Sequence, residues 1–497
     1  MSDKNAQHPG AAQCVLAIAL LASVGSAMAQ SSSTGFVAPP YNRDRESETR
    51  LKISAPFTVA AAGDIIMPQP LMRHDAAFLK LIERIRSADV GFGNMESSLI
   101  DFRGFKGVVH GTLAPFSMGE SIKAMGFNLM NRANNHAFDG GVTGMSSTDE
   151  ALDKLGIVHA GSGSNLQDAR GARFMETPKG RVGLVGMFSV DNASNYGPSY
   201  TRTLATSRHG NLGGGPGVNP LHLTRYHIVS AAQLESMQQT ASAAYGRGVA
   251  LPAKDGAPAR LKFFDEWFQA GSDPGSVHYE IDPADLKDIL ESVRNGKVYA
   301  DFLIVNIHAH QTVKYTPQGL PVAADAIPPI KEGLEPDTPA FLVKLAHESI
   351  DNGADMFIAH GPHTLRGVEI YKGKPIFYGL SNFVFQFGLQ LGSTYNVMAN
   401  ERKMAALENE ASQEAVLATS HFENGKLAEV RLYPADLGGA RRPISQMGIP
   451  LTPEPGIAQR ILKGLQASSR EFGTTISIEN NVGVIRTGDG SSSKKSQ

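Results

Sequence analysis

Cysteine is all but missing from this chain: its 497 residues contain one, Cys14. A disulfide framework is thereby excluded, and so is a metal site built on thiolates. No charge of one sign dominates, with 46 Lys and Arg against 48 Asp and Glu. That balance gives no electrostatic reason to expect nucleic acid or an anionic membrane surface as partner. Long apolar runs are lacking too. The run from Cys14 to Ala27 falls short of the roughly 20 residues that a membrane-spanning helix needs. Tryptophan occurs once, at Trp267, and no internal repeat is visible.

What is present begins with that N-terminal run. It ends in Ala27-Met28-Ala29, which resembles a small-residue cleavage site, so residues 1–29 read as a secretory signal peptide. Cleavage near Ala29 would leave an exported chain, periplasmic or secreted, with no transmembrane segment. It would also remove the only cysteine, so any metal must be held by oxygen and nitrogen. Residues 30–54, rich in Ser, Pro and charge, are expected to be a flexible leader, and the polar 488–497 a disordered tail. Between them, 55–487 alternates apolar runs of strand length with amphipathic helical patterns, which argues an α/β fold. Within it, 190–276 is looser, with the Gly/Pro-rich GNLGGGPGVNP and the aromatic LKFFDEWF. It reads as an insertion or lid.

The chemistry-bearing residues sit just after strand-like runs. Asp64 follows FTVAAAG, and Glu96 closes the run from Asp89 to Asn94. Asn135, His136 and Asp139 lie in the loop NRANNHAFDGG after Phe127 to Met130. His308 and His310 follow Asp301 to Ile307 and share a face at a period of two. His360 and His363 flank Gly361-Pro362 after Met356 to Ala359. Each has a bland reading: Asp64 can cap a helix, an Asn-rich loop can be a turn, and one strand-end His is more often structural. Together they are a series of hard or borderline donors at strand ends, the kind of set with which two divalent ions share one carboxylate.

In this order, Gly63-Asp64-Ile65, Asn94-Met95-Glu96-Ser97, Asn134-Asn135-His136 with Asp139 and Gly141, His308, His360-Gly361-Pro362-His363 through Glu369, and Ser381-Asn382-Phe383 resemble the motifs of the CapA family. These are the poly-γ-glutamate capsule synthesis proteins, whose domain is similar to the calcineurin-like metallophosphoesterase superfamily. The likeness runs from about Phe57 to about Arg486. It implies a four-layer α/β/β/α sandwich with the site along the strand ends. It implies one or two divalent metal ions (Mn, Fe or Zn), with Asp64 and His363 on the first, Glu96 bridging, and Asn135, His308 and His360 on the second. His136, oriented by Asp139, would protonate a leaving group or stabilise the transition state; His310 is an extra ligand or a substrate contact, and Asn382 a candidate substrate contact. Three departures stand out: Ile66 where the phosphoesterase pattern has His, His308-Ala309-His310-Gln311 where the family follows its His with Trp-Gly and Glu, and Ser381 in place of Gly.

The resemblance implies a metal-dependent hydrolase of capsular polymer synthesis. Its substrate would be a phosphoester or an anionic polymer, and its partners membrane components of polymer synthesis. Two other readings stay open. One is a non-catalytic accessory that holds or exports an acidic polymer, which Ile66 and the HAHQ stretch favour. The other is a periplasmic phosphodiesterase or nucleotidase unrelated to capsule.

Overall fold

The computed structural model describes residues 48–71, 75–107, 111–191, 203–207, 213–245, 249–251, 257–264, 266–313, 338–386 with 389, and 407–487. The residues read as signal peptide and tail, and most of those read as leader, lie outside them. The strands that frame the site are Phe57–Ile66 (β1), Val90–Met95 (β2), Leu129–Asn131 (β3), Gly180–Asp191 (β4), Pro220–Val229 (β5), Phe302–His308 (β6), Met356–His360 (β7), Val368–Tyr371 (β8), Lys374–Phe377 (β9), Asn382–Phe385 (β10), Glu414–Glu423 (β11) and Lys426–Asp436 (β12). Helices used below are Ala76–Arg86 (α1), Phe116–Ala124 (α2), Gly141–Lys154 (α3), Pro283–Tyr299 (α4), Ala340–Asp351 (α5) and Pro455–Ser469 (α6).

One sheet runs β12-β11-β1-β2-β3, with β10 joining β1; the other runs β5-β4-β6-β7-β9-β8. The alternation of β1 shows how they stack. Val59 and Ala61 point into an apolar layer shared with Leu184, Phe302, Ile304 and Ile358 of the second sheet. Ala60 and Ala62 point the other way, onto Ile82, Ile85 and Ile122 of α1 and α2. On the far side, Val185 and Val305 meet Ile289 and Val293 of α4 and Leu342 and Leu345 of α5. Strands buried on both faces need near-continuous apolar sequence, which β1, β6 and β7 have. The result is the expected four-layer α/β/β/α sandwich.

Helix starts follow local chemistry. Asp75 accepts from Phe78 N at 3.1 Å to cap α1, and Asp282 caps α4 through Ala284 N and Asp285 N before Pro283 at its first position. Of residues 190–276, read as insertion or lid, the described part supplies β5, whose Pro220 to Leu223 pair in parallel with β4, and further strands that widen the second sheet.

Register aligns the strand ends. Asp64 lies opposite Asn94 of β2 and Asn382 of β10, and Asn94 lies opposite Asn131. In the second sheet His308 lies opposite His360 and Phe188. Two polar rows thus face each other across the sandwich.

Below α6 the chain turns through Arg470–Phe472. Phe472 packs on Tyr378, whose hydroxyl donates to Glu369 at 2.6 Å. Burial, and then the charge of Glu369, pushes the Glu471 carboxyl up to about 7. An acid whose folded pKa is raised binds its proton more tightly in the folded chain, so stability falls as pH rises from 4.5 to about 7. Glu471→Gln is therefore expected to melt higher than the unsubstituted chain at pH 8 and equally at pH 4.5, in thermal melts at both pH values. Equal melting at pH 8 would contradict this.

Candidate metal centre

Asp64 is fully buried at the end of β1, where its backbone N–H donates to Ser381 O at 2.9 Å. Gly63 makes that approach possible, because a Cβ there would lie 2.1 Å from the Ser381 carbonyl oxygen. Ser381 has φ +62, the left-handed region that favours glycine; its Oγ donates to His363 O at 3.1 Å. Asp64 Oδ1 accepts from Asn94 Nδ2 at 2.7 Å, and Oδ2 accepts from Gly361 N at 3.1 Å. His363 Nδ1 lies 3.2 Å from Asp64 Oδ2 and 2.8 Å from Asn382 Oδ1. Burial alone would raise the Asp64 carboxyl. The imidazoles of His308, 3.6 Å from Oδ1, and His363, with the charges of His308 and His360, outweigh that and hold it well below the usual range.

Glu96, one residue past β2, is fully buried, and neither carboxylate oxygen has a hydrogen-bond partner. Three imidazole nitrogens lie around it: His308 Nε2 at 3.4 Å and His136 Nε2 at 3.9 Å from Oε1, with His310 Nε2 a further 3.2 Å from His308 Nε2. Burial, then the charge of Asp64, pushes the Glu96 carboxyl up. A buried carboxylate without donors is costly unless a cation takes their place. Two trios of donor atoms lie within 4.8 Å of one another, Glu96 with His308 and His310, and Asp64 with Glu96 and His363. Glu96 belongs to both, the bridging position that two neighbouring divalent ions need. The donors, carboxylates and imidazoles only, suit Mn, Fe or Zn.

His136 sits at the rim with 19% of its side chain exposed. Its Nδ1–H donates to Asp139 Oδ2 at 2.6 Å, and the same oxygen accepts from Thr112 N at 2.5 Å. That fixes the ring with Nε2 towards Glu96. Burial would lower the imidazole, but the charge and hydrogen bond of Asp139, then Glu96, raise it. His136 can thus carry a proton towards the centre.

Not every expected residue joins the group. The His360 ring turns to the inter-sheet layer: Nδ1 accepts from Asn306 Nδ2 at 2.7 Å and Nε2–H donates to Ala62 O at 2.9 Å. With both nitrogens engaged, it ties β7 to β1 two residues before Asp64. Asn135, unlike His360, is buried with its Oδ1 not spent on any other group, while Asn382 is hydrogen-bonded to His363 and donates to Ser412 O at 3.0 Å. Ile66 is buried in the outer apolar layer beside α1 and offers nothing to the site.

Sequence reasoning gave no role to the residues that support these. Asn94 Oδ1 accepts from Asn131 Nδ2 at 2.8 Å and Asn134 Nδ2 at 3.1 Å, which orients its amide towards Asp64. Gly186 leaves room for Asn131, whose Oδ1 would lie 2.2 Å from a Cβ there. Arg132, fully buried, donates to Met95 O and Ser97 O on either side of Glu96 and to Ala137 O beside His136. One guanidinium thereby clamps two site loops. The signal was the repeated Asn at strand ends and the lone Arg inside an Asn-rich loop.

The family described as bacterial capsule synthesis protein PGA_cap matches residues 58–322 and 334–387. The chain belongs to that family. A protein of Sinorhizobium fredii called uncharacterized protein y4sH is 37% identical over 477 residues, covering 89% of this chain and 96% of its own length. The capsule biosynthesis protein CapA of Bacillus anthracis is 22% identical over 71% of this chain and 64% of its own, and the PGA biosynthesis protein CapA of Bacillus subtilis 24% identical over 67% and 64%. Membership in this capsule synthesis family bears out the resemblance read from the strand-end motifs. No described helix is long and apolar enough to cross a membrane.

Proposed function

We propose that this chain is an exported, metal-dependent hydrolase of capsule synthesis, acting on a phosphoester or amide link of an anionic polymer or its precursor. The observation that carries the reading is Glu96, buried and without donors among His308, His310, Asp64 and His363. Ions held by these residues would supply Lewis-acid polarisation of the scissile group and acidify a water. The chain's own residues supply the rest. Asn94 and Gly361 N–H hold Asp64 in place. Asp139 fixes His136 so that its Nε2 can pass a proton to the departing oxygen or nitrogen. Arg132 holds the two bends that carry Glu96 and His136. The family's role in capsule synthesis and the A-x-A-like N-terminus support the polymer substrate and the export.

The buried Ile66 favours a rival reading, an accessory that binds polymer without turning it over. Metal analysis of full-length protein from cells grown with Mn, Fe and Zn, followed by assay on generic phosphomonoester and phosphodiester substrates, separates the two. The proposal expects bound metal and metal-dependent turnover. Protein that takes up no metal would overturn it; metal without turnover would favour the accessory.

A further inference from the structure

We propose that His310, rather than His360, completes the second metal position, so that this position is a two-histidine, one-carboxylate site of Glu96, His308 and His310. The proposal rests on the metal reading above and goes further by assigning the ligand and the class of ion.

Three observations carry it. First, the ring of His310 is brought to the site by the turn after β6. Ala309 N donates to His360 O at 2.7 Å. Gly361, at φ +107, permits that contact, since a Cβ there would lie 2.8 Å from Ala309 N. The turn sends His310 back beside His308, with ring centroids 4.6 Å apart and planes at 87°. Second, the Nε2 atoms of the two rings lie 3.2 Å apart, and each ring places a nitrogen within 4.8 Å of a Glu96 oxygen. Two imidazoles and an unpartnered carboxylate that converge in this way fit around one cation. Third, His360 has no lone pair to give: Asn306 donates to its Nδ1, and its Nε2–H is spent on the Ala62 carbonyl.

The two positions then differ in donor chemistry. Asp64, Glu96 and His363 offer two carboxylates and one imidazole, while Glu96, His308 and His310 offer the reverse. More nitrogen favours the borderline ions zinc and ferrous iron; more oxygen favours manganese or magnesium. The second position is therefore the zinc- or iron-selective one of the pair.

Metal-free full-length protein, titrated with Zn²⁺ and with Co²⁺ and read by calorimetry and by the visible spectrum of bound Co²⁺, tests this. The unsubstituted chain is expected to bind two equivalents. His310→Ala should lose one of them, or bind it at least about tenfold more weakly, as removal of a metal-site residue does. His310→Asp should keep two equivalents but shift the preference of that position from Zn²⁺ towards Mn²⁺, which loss of folding could not produce. His360→Gln, checked for folding by circular dichroism, should keep both. Two equivalents at unchanged affinity in His310→Ala would overturn the assignment while leaving the metal reading intact. No metal in the unsubstituted chain would overturn both.

Discussion

Replacing Glu96 with methionine is expected to abolish metal uptake and, in the same protein, to make the metal-free chain more stable. The two effects share a cause. Without a cation, Glu96 is a fully buried carboxyl with neither oxygen hydrogen-bonded. A buried polar group left unsatisfied costs about 1–3 kcal/mol, and more if charged. Methionine is close in length, carries no oxygen to leave unpaired and adapts to irregular space, so the metal-free variant should gain about 1–3 kcal/mol. With metal added, the order reverses: binding stabilises the unsubstituted chain and leaves Glu96→Met unmoved. Chemical denaturation of both proteins, with chelator and with saturating Mn²⁺ or Zn²⁺, reads the crossover. A variant less stable than its parent under chelator would show that protein groups alone satisfy Glu96, and the case for a cation would be gone.

The second large effect concerns turnover. His136→Ala is expected to lower kcat by about 10²–10⁴, the range typical of a positioned proton donor, with metal content unchanged. Metal content should hold because His136 belongs to neither donor trio, its Nε2 standing 3.9 Å from Glu96. Asp139→Asn would keep the ring but weaken its anchor, because the 2.6 Å contact would no longer be made to a charged oxygen. Its loss should be smaller and should fall on kcat. A His136→Ala protein that turns over a phosphodiester at the parent rate would remove this residue from the chemistry.

The architecture could be read from the sequence because strands such as β1, β6 and β7 are near-continuous apolar runs and most of the polar donors stand at or soon after strand ends. FTVAAAG before Asp64 and the run into His308 show the pattern. A strand-end position also fixes which row a residue joins, as the His308–His360 register confirms. It does not fix what the side chain meets. His308 and His360 share a row in adjacent strands, yet one ring reaches Glu96 and the other stops on the Ala62 carbonyl. That difference depends on which strand of the opposite sheet lies across from each, and nothing local encodes it. For His310 the sequence left two roles open, extra ligand or substrate contact, because its return to the site depends on the Ala309–His360 backbone contact, formed by residues far apart in the chain. Arg132 is one residue of the NRANNHAFDGG loop in the sequence. Only the tertiary fold makes it a buried clamp.

The donor atoms come from both halves of the sandwich: Asp64 and Glu96 are carried by one sheet, His308, His310 and His363 by the other and the turns that leave it. A cation among them would act as a rivet through the seam, resisting any shear of one layer over its neighbour. Loading the centre should then slow amide exchange in the strands on both sides of the join, well beyond the ligands themselves.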